Sequence, residues 1–207
     1  MIVNSTPEGS APRRRSARGQ AARERILHAA VEAFAKDGYQ GCSLARIASE
    51  VGLSQAGLLH HFPTKEDLLA AVLDERDRLD TRRFLADGAE GIEILTALEK
   101  LVEYNTYLTG MVQSFTVLAG ESTADLHPAR DWFQSRYDNV RTMVAGELRK
   151  GIDRGEIRPD TDCTAIAAEI VATIDGLQLQ WLLDPKKIDM PALFRNYTSR
   201  LRDAIRR

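Results

Sequence analysis

The chain has 207 residues, of which 43% are hydrophobic, 6% aromatic and 28% charged, enough for one large domain or two modest ones with a real core. Its most apolar stretch, CTAIAAEIVATIDGLQLQWLL from Cys163 to Leu183, is interrupted by Glu169 and Asp175, and the first twenty residues carry no apolar signal region; no membrane partner is expected, and the expected location is cytoplasmic. The formal charge of -2 divides unevenly, with 8 Lys and Arg against 5 Asp and Glu in residues 1–62 and 20 against 25 in the rest, a basic front end that suits nucleic acid but that a solvated surface also shows.

Residues 1–20 are rich in Pro, Gly, Ser and Arg and read as a disordered basic tail. Helical periodicity begins in ARERILHAAVEAFAKDGY, where Ile26, Ala30, Ala33 and Phe34 share a face and Gly38 is a stop signal. Ser43 then stands as N-cap of a second helix whose Leu44, Ile47, Ala48 and Val51 recur at the spacing of a buried stripe. Gly52 ends it. Ser54 caps a third, short helix that keeps Leu58 and Phe62 inward and stops at Pro63. Thr64 and Asp67 form a capping box that opens a fourth helix through Leu68, Leu69, Val72 and Leu73.

Two short helices joined by a glycine turn make a helix-turn-helix. A helix that served only for packing would not need Ser54, Gln55 and Gly57 at its exposed start, whereas a recognition helix does, because small and hydrogen-bonding groups allow close approach to DNA. The segment SLARIASEVGLSQAGLLHHFPTKEDLL resembles the DNA-binding corner of the TetR family of transcriptional regulators, and the first helix, closed by DGY, lies where that family places it. Two positions depart from the family pattern, since Leu59 and His61 stand where tyrosines usually grip phosphates. Leu59 cannot donate a hydrogen bond; His61 can.

The resemblance implies an all-α fold of about nine helices, with a three-helix DNA-binding domain at residues 21–81 and a helical effector-binding and dimerisation bundle at 82–207. It also implies DNA-contact roles. Ser43, Arg46, Lys65, His60 and His61 are candidates for phosphate, Ser54 and Gly57 for close backbone approach, and Gln55 for a base edge, since its amide pairs bidentately with adenine. The arm from Arg13 to Gly19 either lies along the DNA or is a plain solubilising tail.

Beyond a boundary around Asp87 to Gly91, helices are expected over residues 91–107, 111–121, 128–154, 162–183 and 190–206. In the bundle, Tyr104, Tyr107, Met111, Phe115, Trp132 and Trp181 are candidates to line an effector pocket, and each also suits an ordinary core position. Asn105, Gln113 and Gln178 are polar on apolar helices, which suits a hydrogen-bonding ligand or solvent. The expected homodimer surface runs along Ile166, Ile170, Thr173, Ile174, Leu177 and Trp181, with Leu193, Tyr197 and Leu201 on the last helix.

Other chemistries find little footing. His60 and His61 are adjacent on a helix and point about 100° apart, with no third ligand at motif spacing, so no metal or other cofactor is expected. Cys42 and Cys163 read as small hydrophobes, and no hydrolase signature, phosphate-cradling loop or dinucleotide fingerprint is present. The expected function is that of a ligand-responsive regulator, a repressor that binds a palindromic operator as a dimer and is released by a small molecule. The alternatives are a non-specific architectural DNA binder and a transcriptional activator of the same family.

Overall fold

The computed structural model describes the backbone of residues 11–86 and 88–207 and the side chains of 18–80 and 88–207. Among these residues the chain forms nine α-helices: α1 (Ala11–Gly41), α2 (Leu44–Glu50), α3 (Gln55–His61), α4 (Lys65–Ala86), α5 (Ile94–Asn105), α6 (Thr109–Glu121), α7 (Arg130–Asp153), α8 (Cys163–Leu183) and α9 (Met190–Ile205). A 3₁₀ turn, Gly91–Glu93, leads into α5. The expected element order therefore holds, with Asp87 of the expected boundary and the first ten residues of the expected tail outside the described part.

The first helix is longer than its apolar periodicity suggests. It starts at Ala11 inside the segment read as a disordered tail, because Ala and Arg are strong helix formers even where no apolar stripe marks them. At its other end Gly38 takes φ 67°, ψ -177° and breaks the helix one turn before Gly41. This conformation favours glycine, and a β-carbon there would also collide with the Glu121 carboxylate.

Local chemistry sets the tight corners that follow. Gly52, at φ 71°, ends α2 in a Schellman arrangement, with the Leu53 N–H donating to the Ala48 carbonyl at 2.8 Å and the Gly52 N–H to Ser49 at 3.1 Å. The Ser54 Oγ accepts from the Gly57 N–H at 3.1 Å and caps α3. In the capping box ahead of α4, the Thr64 Oγ1 accepts from the Asp67 N–H and Asp67 Oδ2 accepts from the Thr64 N–H, both at 3.0 Å. Ser43 differs from expectation. It sits at the N-cap position with extended backbone, but its side chain makes no cap hydrogen bond, so α2 is held by packing of Ile47 and Ala48 instead.

Two apolar cores organise the molecule. The first gathers Ile26, Phe34, Ile47, Leu58, Leu68 and Val72 from α1 to α4, and Phe115, Leu118 and Phe133 from α6 and α7 complete it. The second lies among α5, α7, α8 and α9, around Ile94, Leu98, Val144, Leu148, Ala167, Ile170 and Phe194. The front helices thus bury their apolar face partly against the bundle, with α6 lying along α1.

Helix α8 is long and apolar enough to cross a membrane, by length and composition alone. It packs between α7 and α9, with Asp162 capping its start by accepting from the Thr164 and Ala165 N–H groups at 3.0 Å. Its inward side carries Cys163, Ala167, Ile170, Val171, Gln178 and Trp181. Its outward side sets alanines and the exposed Leu179 and Leu183, at 50% and 78%, among Thr164, Glu169 and Gln180.

Candidate DNA-binding surface and effector cavity

The reading end of the molecule is the exposed start of α3. Leu58 is fully buried and anchors the helix, while Ser54, Gln55, Ala56 and His60 face solvent and Gly57 and His61 are half-buried. Four N-terminal N–H groups of a short helix are not satisfied internally, and here Ser54 takes up one of them, leaving others directed outward at the end where anions bind best. The His60 and His61 rings lie 5.7 Å apart, and no group of three or more potential metal ligands occurs among the described residues.

The flanking candidates are differently disposed. The Ser43 hydroxyl is exposed and free of a capping duty. Arg46 is half-buried and ion-paired to Asp37, with Glu50 3.7 Å away, so a phosphate would have to displace a carboxylate that holds the guanidinium, whose charge those partners reinforce. Lys65 stands with its Nζ 4.5 Å from the centre of the Tyr39 ring. The side chains of residues 11–17 lie outside the described part, and with them most of the Arg13–Gly19 arm.

Tyr39 belongs to a joint that sequence reading missed. Its ring is buried and its hydroxyl donates to Glu66 at 2.6 Å, so burial and the neighbouring carboxylate push the phenol well above its usual pKa, while the shared hydrogen bond holds Glu66 below the usual carboxylate range. The Tyr39 N–H donates to Glu121 at the end of α6 at 2.7 Å, and the imidazole of His127 meets the Tyr39 ring edge-on at 5.3 Å. His127 is buried, accepts at Nδ1 from the Ala129 N–H at 3.2 Å and keeps Nε2 3.8 Å from Glu121. Burial lowers its pKa, which Glu121 only partly offsets. The joint ties the DNA-reading corner to α6. The signal available in sequence was Gly38 itself, read as a stop although it also admits Glu121.

Farther along α4 a cavity opens between α4, α5, α6, α7 and α8, with about 90 Å³ of space for a water-sized body. Leu98, Leu101, Val140, Met143, Val144 and Ile174 form apolar walls, and Arg76, Asp80, Asn105, Arg136, Asp175 and Gln178 supply polar groups. Arg76 is 3% exposed, donating from Nε to Asp80 at 2.9 Å and from Nη2 to Asn105 at 3.3 Å. Asn105 donates in turn to Gln178 at 3.0 Å, and Arg136 reaches the same Asp80 oxygen at 2.9 Å.

Of the six pocket candidates only Phe115 lines this cavity. Tyr107 is 76% exposed, and it and Met111 flank an open groove beside α1. Trp132 packs on Phe115 and Phe133 and donates to Asp74 at 3.0 Å; Trp181 is buried in the second core; Tyr104 is half-buried away from the space. Aromatic size was a poor guide because large rings are also what cores are built from. Polar residues on apolar stripes were a better one. Asn105 and Gln178 line the cavity, whereas Gln113 instead donates to the Ala35 carbonyl at 3.3 Å. Arg76 and Asp80 carried the same signal, continuing the buried stripe of Leu69, Val72 and Leu73 on α4.

Most of the α8 residues expected at the dimer surface lie inward in the single chain, Thr173 excepted. Ile170 is fully buried and lines the cavity with Ile174, Trp181 is core, and Ile166 and Leu177 pack against the second core, so the stripe read as interface is the helix's inward side. On the outward side lie Ala165, Ala168, Ala172, Leu179 and Leu183, with Gly176 and Thr173 half-buried beside them. On α9, Leu193 is 41% exposed and Tyr197 and Leu201 half-buried.

An all-helical chain with a capped glycine-turn corner joined by one helix to a cavity-bearing bundle is a helix-turn-helix regulator in architecture. Residues 26–72 match the family of bacterial regulatory proteins known as tetR, and residues 121–203 match the C-terminal domain of BetI-type transcriptional repressors. The chain is 30% identical over 155 residues to the HTH-type transcriptional regulator UidR of Escherichia coli strain K12, covering 73% of this chain and 76% of that protein. It is 28% identical over 187 residues to the HTH-type transcriptional regulator TtgR of Pseudomonas putida, covering 86% and 88%. A protein of Saccharomonospora viridis, solved in complex with choline, superposes with a TM-score of 0.77 at 29% identity over 91% of this chain and 99% of that one. The chain belongs to the TetR family of transcriptional regulators, which bind DNA and small molecules and are not enzymes.

Proposed function

We propose that the protein is a cytoplasmic repressor that binds a palindromic operator as a homodimer and lets go when a small molecule enters the α4–α8 cavity. The supporting observation is that α4 runs from the capping box beside the reading helix into the cavity wall, where it carries Arg76 and Asp80. A ligand that prefers one position of α4 then biases the spacing of the two reading heads, and only that difference in affinity releases DNA.

In this reading residues 21–81 form the DNA-binding domain and 82–207 the effector and dimerisation domain. Ser54, Gln55 and Gly57 approach the major groove, Ser43, His60, His61 and Lys65 meet phosphates, and Arg46 joins them by exchanging carboxylate for phosphate. The dimer forms through the outward side of α8 around Ala168, Ala172 and Leu179, with Leu193, Tyr197 and Leu201 of α9. Such an apolar surface exceeds what isolated exposed side chains explain.

The test is selection of the purified protein against a random duplex pool, followed by a salt titration. An inverted repeat with half-sites about one helical turn apart supports the reading. Enrichment without a motif, with binding that fades steeply in salt, overturns it in favour of a non-specific binder. Transcription measured from that operator then separates repression from activation.

A further inference from the structure

We infer that the cavity takes an uncharged, compact, mainly apolar molecule with a hydrogen-bond acceptor at one end, such as a ketone, ester or amide head on a single ring. This rests on the reading of the cavity as the effector site. Around the cavity, Arg76 and Arg136 face Asp80, which accepts from both, and Arg136 also lies 3.3 Å from Asp77. Asp175 accepts from the Tyr137 hydroxyl at 2.7 Å. Asp80 and Asp77 hold the two guanidiniums, and Asp175 is one carboxylate in excess of them, so an anionic guest would add to an excess of negative charge that low-dielectric surroundings penalise heavily.

Each sign of charge meets a specific obstacle. A carboxylate would face Asp80 and Asp175, whose own carboxyl burial already pushes above the usual range. A quaternary ammonium, with no hydrogen to give Asp175, whose Oδ2 already accepts from the Tyr137 hydroxyl, would depend on an aromatic face. Phe115 already has the Arg136 and Arg76 guanidinium carbons 5.0 and 5.6 Å from its ring centre, so that face is occupied by cations. What is left over is a donor. Arg76 Nη1 is buried without a hydrogen-bond partner, although Nε and Nη2 are both engaged. A neutral acceptor satisfies that nitrogen and adds no charge. Apolar walls from Leu98, Val140, Met143 and Ile174 hold the rest of the guest, and a free space of about 90 Å³ suits a compact one.

Three probes with one ring and different heads test this: acetophenone, benzoate and phenyltrimethylammonium, each titrated calorimetrically into the full-length protein. Acetophenone should bind at least about tenfold more tightly than either ion, the scale of one hydrogen bond from a charged donor. Arg76→Met and, independently, the cavity-filling Val140→Phe should each remove that binding; circular dichroism identifies any variant that has not folded. Tighter binding of either ion, absence of acetophenone binding, or binding that survives Val140→Phe overturns the inference. The selected operator duplex separates this from the effector reading. If acetophenone binds through Arg76 and leaves the protein–DNA complex intact at saturation, the guest class stands and the effector reading falls.

Discussion

Single residues divide here into those that read and those that hold. Gln55, exposed on the first turn of α3, has no structural duty, so Gln55→Ala should leave thermal unfolding unchanged and weaken operator binding by about 1–3 kcal/mol, the scale of a bidentate base contact. Electrophoretic mobility shift on the selected duplex measures it, and unaltered affinity would remove Gln55 from the interface. His127 holds. Its pKa is depressed by burial, so the unfolded chain binds its proton more readily than the folded one. Stability from this group is accordingly complete above the ordinary histidine pKa of about 6.5 and declines as pH falls toward the lowered folded value. The urea midpoint should drop between about pH 7.5 and pH 5.5, and His127→Gln should flatten that drop; parallel curves for the two proteins would exclude the residue as the cause.

At the scale of elements, α4 and α8 each serve two partners. One side of α4 seats the corner through Leu68, Leu69 and Val72, and its continuation carries Arg76 and Asp80 into the cavity. Helix α8 fills the second core with one side and offers alanines, Gly176 and two exposed leucines on the other. Leu179→Glu places a charge on that outward side without touching the core, so the protein should shift from dimer to monomer in sedimentation equilibrium while keeping its helical circular dichroism. A dimer that persists would move the interface elsewhere. Operator affinity should fall in parallel, because two tethered reading heads bind far more tightly than one.

Taken whole, the molecule has two proposed domains but does not divide cleanly at residue 82. Leu118 of α6 is fully buried in the core of the front helices, and Gly38, Tyr39, Glu121 and His127 join the same two parts by close contact and hydrogen bonds. Leu118→Ala should therefore lower stability by about 2–5 kcal/mol and shift a single cooperative transition. Fluorescence of Trp132, beside the first core, and of Trp181, in the second, should report coincident midpoints when recorded in single-tryptophan variants. Separate midpoints would mean that the parts unfold independently.

The helices, the Ser54 cap, the Thr64–Asp67 capping box and the helix-turn-helix were legible in the sequence because local chemistry sets them: a capping serine, a left-handed glycine and a stripe at helical spacing act over four or five residues, whereas the Ser43 side chain leaves its cap unmade. The same locality explains the longer α1, whose Ala and Arg favour helix without an apolar mark. Which side of α8 faces inward was not legible, since both sides mix apolar with a few polar residues and periodicity alone does not say which of them meets α7 and α9. The cavity was half legible: Asn105 and Gln178 stand out as polar groups on apolar helices, but their meeting with Arg76, Asp80 and Arg136 joins residues 29 to 73 positions apart. Only the packing of four helices brings those groups together, and that packing also leaves one nitrogen of Arg76 without a hydrogen-bond partner.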